Sequence, residues 1–231
     1  MRLRCSYMRI VMKVGGSVLA SPPNPELIRK YADLIGDLRA KGYEIAIIVG
    51  GGRLAREFIG LAHDLGLSER EQDELAISVS RLIAQVLAMK VGGYDWRDVP
   101  TTIEDAAKVL NERGIVIMGG IKPGMTTDTV AALLASEVKA SIIIKATDQD
   151  GIYTKDPRKY PDAKKIDELS FDDLEGLLTE SRHRAGIHQI IDPEAVKILR
   201  EKRIKMIVVN GFRPENILLA INGARIGTII C

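Results

Sequence analysis

The sequence predicts an α/β protein: a mainly parallel sheet, doubly wound with helices on both faces. Three observations predict it. Short β-branched runs, apolar on both faces, alternate with longer stretches of helical period, as expected where helices cover a parallel sheet. Glycine clusters directly follow three of those runs. No internal repeat or low-complexity linker interrupts the alternation, so the 231 residues suit one domain, or two joined lobes, with an ample core.

In chain order, residues 9–14 (RIVMKV) are the first strand. Leu27, Ile28, Tyr31, Leu34, Ile35 and Leu38 then recur at steps of three and four, a helix face that Gly42 stops. Residues 44–49 (EIAIIV) are the second strand, and 53–66 and 69–91 have helical period. A helix over 103–113 leads into the strand 115–118 (IVIM), and a helix over 127–139 into the strand 141–146 (SIIIKA). The polar stretch 147–168 carries turn signals at Asp150-Gly151 and Asp156-Pro157 and predicts a hairpin or ordered loop. Helix 192–202, strand 204–209 (IKMIVV) and helix 214–221 complete a pattern that right-handed crossovers connect.

Composition excludes several function classes. With 33 Lys+Arg against 31 Asp+Glu, the chain lacks the basic excess of a dedicated nucleic-acid binder. Aromatics at 4% are too few for a base-stacking platform. Cys5 and Cys231 have no neighbour at metal-ligand spacing and form no disulfide framework, which fits a reducing compartment. The N-terminal stretch has the early arginines of an export signal, but Arg9 and Lys13 interrupt its apolar part. No apolar run approaches the ~18 residues that span a bilayer. The expectation is a cytoplasmic protein acting on small molecules, with neither nucleic acid nor membrane as partner.

Gly15-Gly16-Ser17, Gly50-Gly51-Gly52 and Gly119-Gly120 each follow a predicted strand, at the carboxyl end where open α/β folds place ligands. Glycine lets the backbone approach an anion and turn N–H groups toward it, often with a helix N-terminus behind. A single such turn is better explained by tight packing; three converging turns suggest a site for several phosphates in a row. No Gly-Lys-Ser or Gly-Lys-Thr is present, so this is not a P-loop. The run 50–55 matches G-x-G-x-x-A, but no strand follows until Ile115, against the dinucleotide fingerprint. Asp148-Gln149-Asp150-Gly151 opens like a calcium loop, yet Pro157 stands where the closing glutamate belongs.

Lys13 and Lys145 occupy corresponding positions near the ends of otherwise apolar strands. A buried lysine is costly unless it meets an anion, the alternative being that its stem snorkels and its head reaches water. Asp128, after Thr126 and Thr127, reads either as a first-turn charge complementing a helix dipole or as a carboxylate that orients the two lysines.

These blocks resemble the amino acid kinase superfamily, and within it the archaeal uridylate kinases: Lys13-Val14-Gly15-Gly16-Ser17, Val49-Gly50-Gly51-Gly52, Thr126-Thr127-Asp128 with AALLA, and 145–157 (KATDQDGIYTKDP). The likeness covers about residues 8–231 as one domain, leaving 1–7 as an extension. It implies a three-layer αβα sandwich, with acceptor binding over about 8–135 and ATP binding over about 136–231. It also implies phosphorylation of UMP to UDP by ATP with Mg2+, and a homohexamer. By position, Gly16, Ser17, Gly52 and Arg56 are expected at the ATP phosphates, and Thr147, Asp148, Tyr153 and Asp156 around its nucleoside. Gly51, Asp73 and the stretch Ile121, Lys122, Pro123, Gly124, Met125, Thr126 and Thr127 are expected to hold UMP. Lys13, Lys145 and Asp128 are the expected catalytic set, with no metal ligand among the side chains. Asp148 departs from the asparagine or basic residue the resemblance leads one to expect there.

A phosphate acceptor needs no general base, because its second pKa near 6 leaves it largely dianionic at neutral pH. The three histidines, His63, His183 and His188, are surplus to such a reaction, with His183/His188 at most a weak metal pair. Rival acceptors within the superfamily are acetylglutamate, carbamate and isopentenyl phosphate; the histidine expected for the last is missing after the glycines. A non-catalytic nucleotide binder has no use for intact Lys13, Lys145 and Asp128. Residues 75–91 are apolar on more than one face, as in a subunit contact or a central helix.

Overall fold

A computed structural model describes residues 8–92, 95–183 and 191–231. Its strands are β1 (Arg9–Val14), β2 (Glu44–Val49), β3 (Ile115–Met118), β4 (Ile142–Thr147), β5 (Ile152–Tyr153), β6 (Lys165–Ile166), β7 (Glu168–Leu169), β8 (Met206–Asn210) and β9 (Thr228–Ile230). Its helices are α1 (Gly16–Leu19), α2 (Pro25–Ala40), α3 (Gly52–Asp64), α4 (Glu69–Val91), α5 (Ile103–Arg113), α6 (Thr127–Glu137), α7 (Phe171–His183), α8 (Pro193–Lys202) and α9 (Glu215–Ile221).

One seven-stranded sheet runs in the order β3-β2-β1-β4-β8-β9-β7. All its pairings are parallel except β8 with β9. The order grows outward from β1 in one direction and from β4 in the other, so the switch point lies between these two central strands, where α/β sheets open a ligand crevice at their carboxyl ends.

Side-chain alternation splits the core into two layers. Met12, Ile47, Ile144 and Ile207 face α2, α4 and α9 through Ile35, Leu87 and Ile217. Val11, Ile48, Ile143 and Val208 face α5, α6 and α8 through Leu110, Leu134 and Leu199. Helices therefore cover both faces, and the fold is the expected three-layer sandwich.

Element bounds match the periodicity closely, α4 and α5 to the residue. The strand expected at 204–209 begins later, at Met206, because the amide of Ile204 closes α8 by donating to the Leu199 carbonyl (2.9 Å), with Arg203 left-handed at φ 51°. The polar stretch does contain a hairpin, β5 against β6. The extension 1–7 and the side-chain pair His183/His188 lie outside what is described.

Candidate active site

On β1 and β4 the alternation that sends Val11 and Ile143 toward α6 sends Lys13 and Lys145 the same way, two residues nearer the crevice. The parallel register sets these lysines directly opposite one another. Two ammonium groups in that position repel unless an anion lies between them. Asp128 supplies it. Thr126 caps α6 by accepting from the amides of Asp128 (3.2 Å) and Thr129 (3.1 Å), which places the carboxylate in the first turn over the strand ends. One oxygen, Oδ1, lies 3.3 Å from Lys13 Nζ and 2.5 Å from Lys145 Nζ.

Both lysines are buried, at 8% and 3% exposure, and their heads meet Asp128 at the crevice instead of snorkelling to the outer surface. Burial and the neighbouring Lys13 charge lower the Lys145 pKa to about 8, against the upward pull of Asp128. Burial alone would raise the Asp128 pKa, but the two ammonium groups outweigh it and hold the carboxyl below its ordinary range.

The glycine turns meet above this triad. A Cβ on Gly16 would fall 1.9 Å from the amide nitrogen of Gly52; one on Gly52, at φ +60°, would fall 2.1 Å from the Gly16 carbonyl oxygen. Tight packing is thus a true account of these two glycines, and it is also what brings the starts of α1 and α3 together. Neither helix has a capping side chain at its N-cap, Gly15 or Gly51; at the start of α3 the amides of Arg53 and Leu54 donate to Ser21 Oγ (2.7 Å) and to the Ala20 carbonyl (3.2 Å), which leaves Gly16, Ser17 and Gly52 to line the crevice.

Two cavities adjoin there. The larger, of about 640 Å³, contains all eight residues expected around ATP: Gly16, Ser17, Gly52 and Arg56 on one side, Thr147, Asp148, Tyr153 and Asp156 on the other, with Lys13, Lys145 and Asp128 at its floor. The smaller, of about 350 Å³, is lined by Asp73, Lys122, Gly124, Met125 and Thr126 of the residues expected at UMP. Gly51 and Thr127 line both. Ile121 instead packs against the core, and Pro123 is not part of the lining.

Several partners could not be read from the sequence. Asp148 is paired with Arg158 (2.5 Å), so a second charge sits at the mouth of the larger cavity. Asp73 accepts from the amide of Gly124 (2.7 Å) and thereby holds the turn it shares the cavity with. Asp192, the N-cap of α8, also accepts from the hydroxyls of Thr126 and Thr129 (2.8 Å for the latter), tying the start of α6 to α8. Each of these contacts spans ten or more residues, beyond the reach of a periodicity.

Residues 8–210 match the model of the amino acid kinase family. The chain belongs to the amino acid kinase family. A uridylate kinase of Methanocaldococcus jannaschii is 42% identical over 225 residues, 96% of this chain and 99% of that protein. A uridylate kinase of Methanothermobacter thermautotrophicus is 40% identical with the same coverage. The crystal structure of uridylate kinase from Archaeoglobus fulgidus superposes with a TM-score of 0.86 at 38% identity, covering 97% of this chain and all of that one. Within this amino acid kinase, the larger cavity opens on the carboxyl ends of β1 and β4 at the switch point, and the smaller lies under α4. Among the described residues no helix is long and apolar enough to cross a membrane.

Proposed function

We propose that this amino acid kinase transfers the terminal phosphoryl group of ATP to UMP, giving ADP and UDP, in pyrimidine nucleotide synthesis in the cytoplasm. The observation that carries the reading is the junction of the two cavities at Gly51 and Thr127, directly above the Lys13–Asp128–Lys145 cluster. The names of the full-length relatives point to the same acceptor.

ATP occupies the larger cavity, its phosphates over Gly16, Ser17, Gly52 and Arg56. UMP occupies the smaller one, beside Asp73 and the turn 121–127. An oxygen of the UMP phosphate attacks the γ-phosphorus while the bond to the β–γ bridging oxygen breaks, and ADP leaves with that electron pair. The protein's task is alignment and charge neutralisation. Lys13 and Lys145 meet the equatorial charge of the transferring group, and Asp128 holds both heads in place without becoming a base. Residues of about 8–135 carry the acceptor and, through Gly16, Ser17, Gly52 and Arg56, the donor's phosphates, while about 136–231 carry the nucleoside end of the donor through the segment 147–158.

Magnesium enters as part of the donor. Asp128 is already held by two ammonium groups, and among the described residues no three His, Cys, Asp or Glu side chains gather as a metal site. When bound with ATP, the ion would offset phosphate charge between the two polyanions.

Assembly into a homohexamer rests on the resemblance; a subunit contact is supported by exposed Phe58 and Leu61 on α3, Leu65 just after it, and Leu82 and Met89 on α4. The test of the activity is ADP release with UMP, CMP, isopentenyl phosphate and acetylglutamate as acceptors. Turnover is expected to be fastest with UMP; a faster reaction with either non-nucleotide acceptor overturns the assignment.

A further inference from the structure

We propose that Arg81 is a positioning residue for the phosphoryl acceptor, setting the conformation of the turn 119–125 through two of that turn's carbonyl groups. The inference rests on the smaller cavity being the acceptor site.

Helix α4 presents Asp73, Ile77, Ser80 and Arg81 at steps of four, three and one, a stripe along one side of the helix. Asp73, Ile77 and Ser80 line the smaller cavity. The contact between helix and turn is backbone against backbone: a Cβ on Gly119 would come within 2.7 Å of the Arg81 amide nitrogen. Once that close, the two segments exchange polar groups. Ser80 Oγ is buried, donates to the Ile77 carbonyl (2.7 Å) and accepts from the Gly120 amide (2.8 Å). Arg81 donates from Nε to the Gly120 carbonyl (2.9 Å) and from Nη2 to the Ile121 carbonyl (2.8 Å). Asp73 holds the far end of the turn at Gly124.

Two features separate Arg81 from an ordinary surface arginine. Arg53 and Arg200 pair with carboxylates, whereas among the described residues no carboxylate pairs with Arg81. Its charge is directed onto consecutive carbonyls, a forked contact that a single ammonium group cannot reproduce. In a trans peptide the N–H points opposite to the C=O, so fixing the carbonyls of Gly120 and Ile121 toward Arg81 also fixes the amides of Ile121 and Lys122 away from it. A charged donor on a carbonyl polarises the amide on the other side of the same peptide group, making it a better donor to an anion.

The experiment compares wild type, Arg81→Ala and Arg81→Lys in steady-state kinetics with each substrate varied. Arg81→Ala is expected to raise the KM for UMP about tenfold while that for ATP changes by less than about twofold, with Arg81→Lys between them. Guanidinium ion at millimolar concentration is expected to lower the UMP KM of Arg81→Ala and to leave wild type unchanged. An unchanged UMP KM, an equal rise in both KM values, or no rescue overturns the proposal. If Arg81→Ala does not fold, Arg81→Lys decides by the same split between the two KM values. If wild type prefers another acceptor, the assignment to UMP fails on its own, and the split measured with that acceptor still decides the role of Arg81.

Discussion

Around the larger cavity the working groups are side chains and glycine turns at the ends of strands; around the smaller one they are the backbone of a single turn, held in shape by a helix. Lys13 and Lys145 are where they are because β1 and β4 are neighbours in register, and their side is set by the same alternation that buries Val11 and Ile143. The turn 119–125 beside the smaller cavity has no such template. Its amides and carbonyls are fixed by Asp73, Ser80 and Arg81 from α4, about forty to fifty residues earlier in the chain. A site built on strand ends tolerates variation in distant helices, whereas a site built on a held turn is only as well formed as its fastenings.

That contrast can be broken or sharpened by substitution. The largest effect is expected at the floor of the larger cavity: Lys13→Ala removes a fixed charge stabiliser and should lower kcat at least ~10²-fold, measured as ADP release at saturating substrates. Turnover within a few-fold of wild type would make Lys13 merely structural. On the acceptor side, Asp73→Ala should raise the KM for UMP about tenfold with a much smaller change for ATP. Equal changes would erase the distinction between the two cavities.

A pH titration probes the floor without mutation. With the Lys145 pKa lowered to about 8, kcat/KM for ATP should fall as pH rises through that value. The limb in kcat should lie higher, because bound phosphates favour the charged amine. Stability responds with the opposite sign. Between about 8 and 10.5 the folded chain has lost this proton while the unfolded chain still binds it, so this group makes folding more favourable as pH rises. Activity that stays flat to pH 10 would place the Lys145 charge outside the reaction. The smallest effect is expected at the mouth of the larger cavity. Asp148→Asn breaks the pair with Arg158, whose guanidinium side chain is half exposed, and should change the ATP KM by less than about threefold.

The sandwich, the register-bearing strands and the Lys13, Asp128 and Lys145 set were legible because each rests on short-range signals: period, turn residues, and charge at an apolar strand's end. Other parts were not. β7 and β9 have two and three residues, too few to display a period, and β9 reverses the sheet's otherwise parallel direction. α7 interrupts its apolar spacing with Gly176 and was absent from the pattern. Ile121 belongs to the acceptor stretch by position, yet its side chain faces the core, which only the packing of the turn decides.

By itself the sequence determined which residues could carry charge to a crevice, since burying lysine in a strand is costly enough to demand an anion. It also determined that glycines would let helix starts approach one another. Only the tertiary structure decided between the two readings of Asp128, by laying α6 across β1 and β4, and which backbone groups are held beside the smaller cavity, by pressing α4 against the turn after β3. Local patterns fix what a segment can form alone, whereas hydrogen bonds between distant segments exist only after the chain has closed.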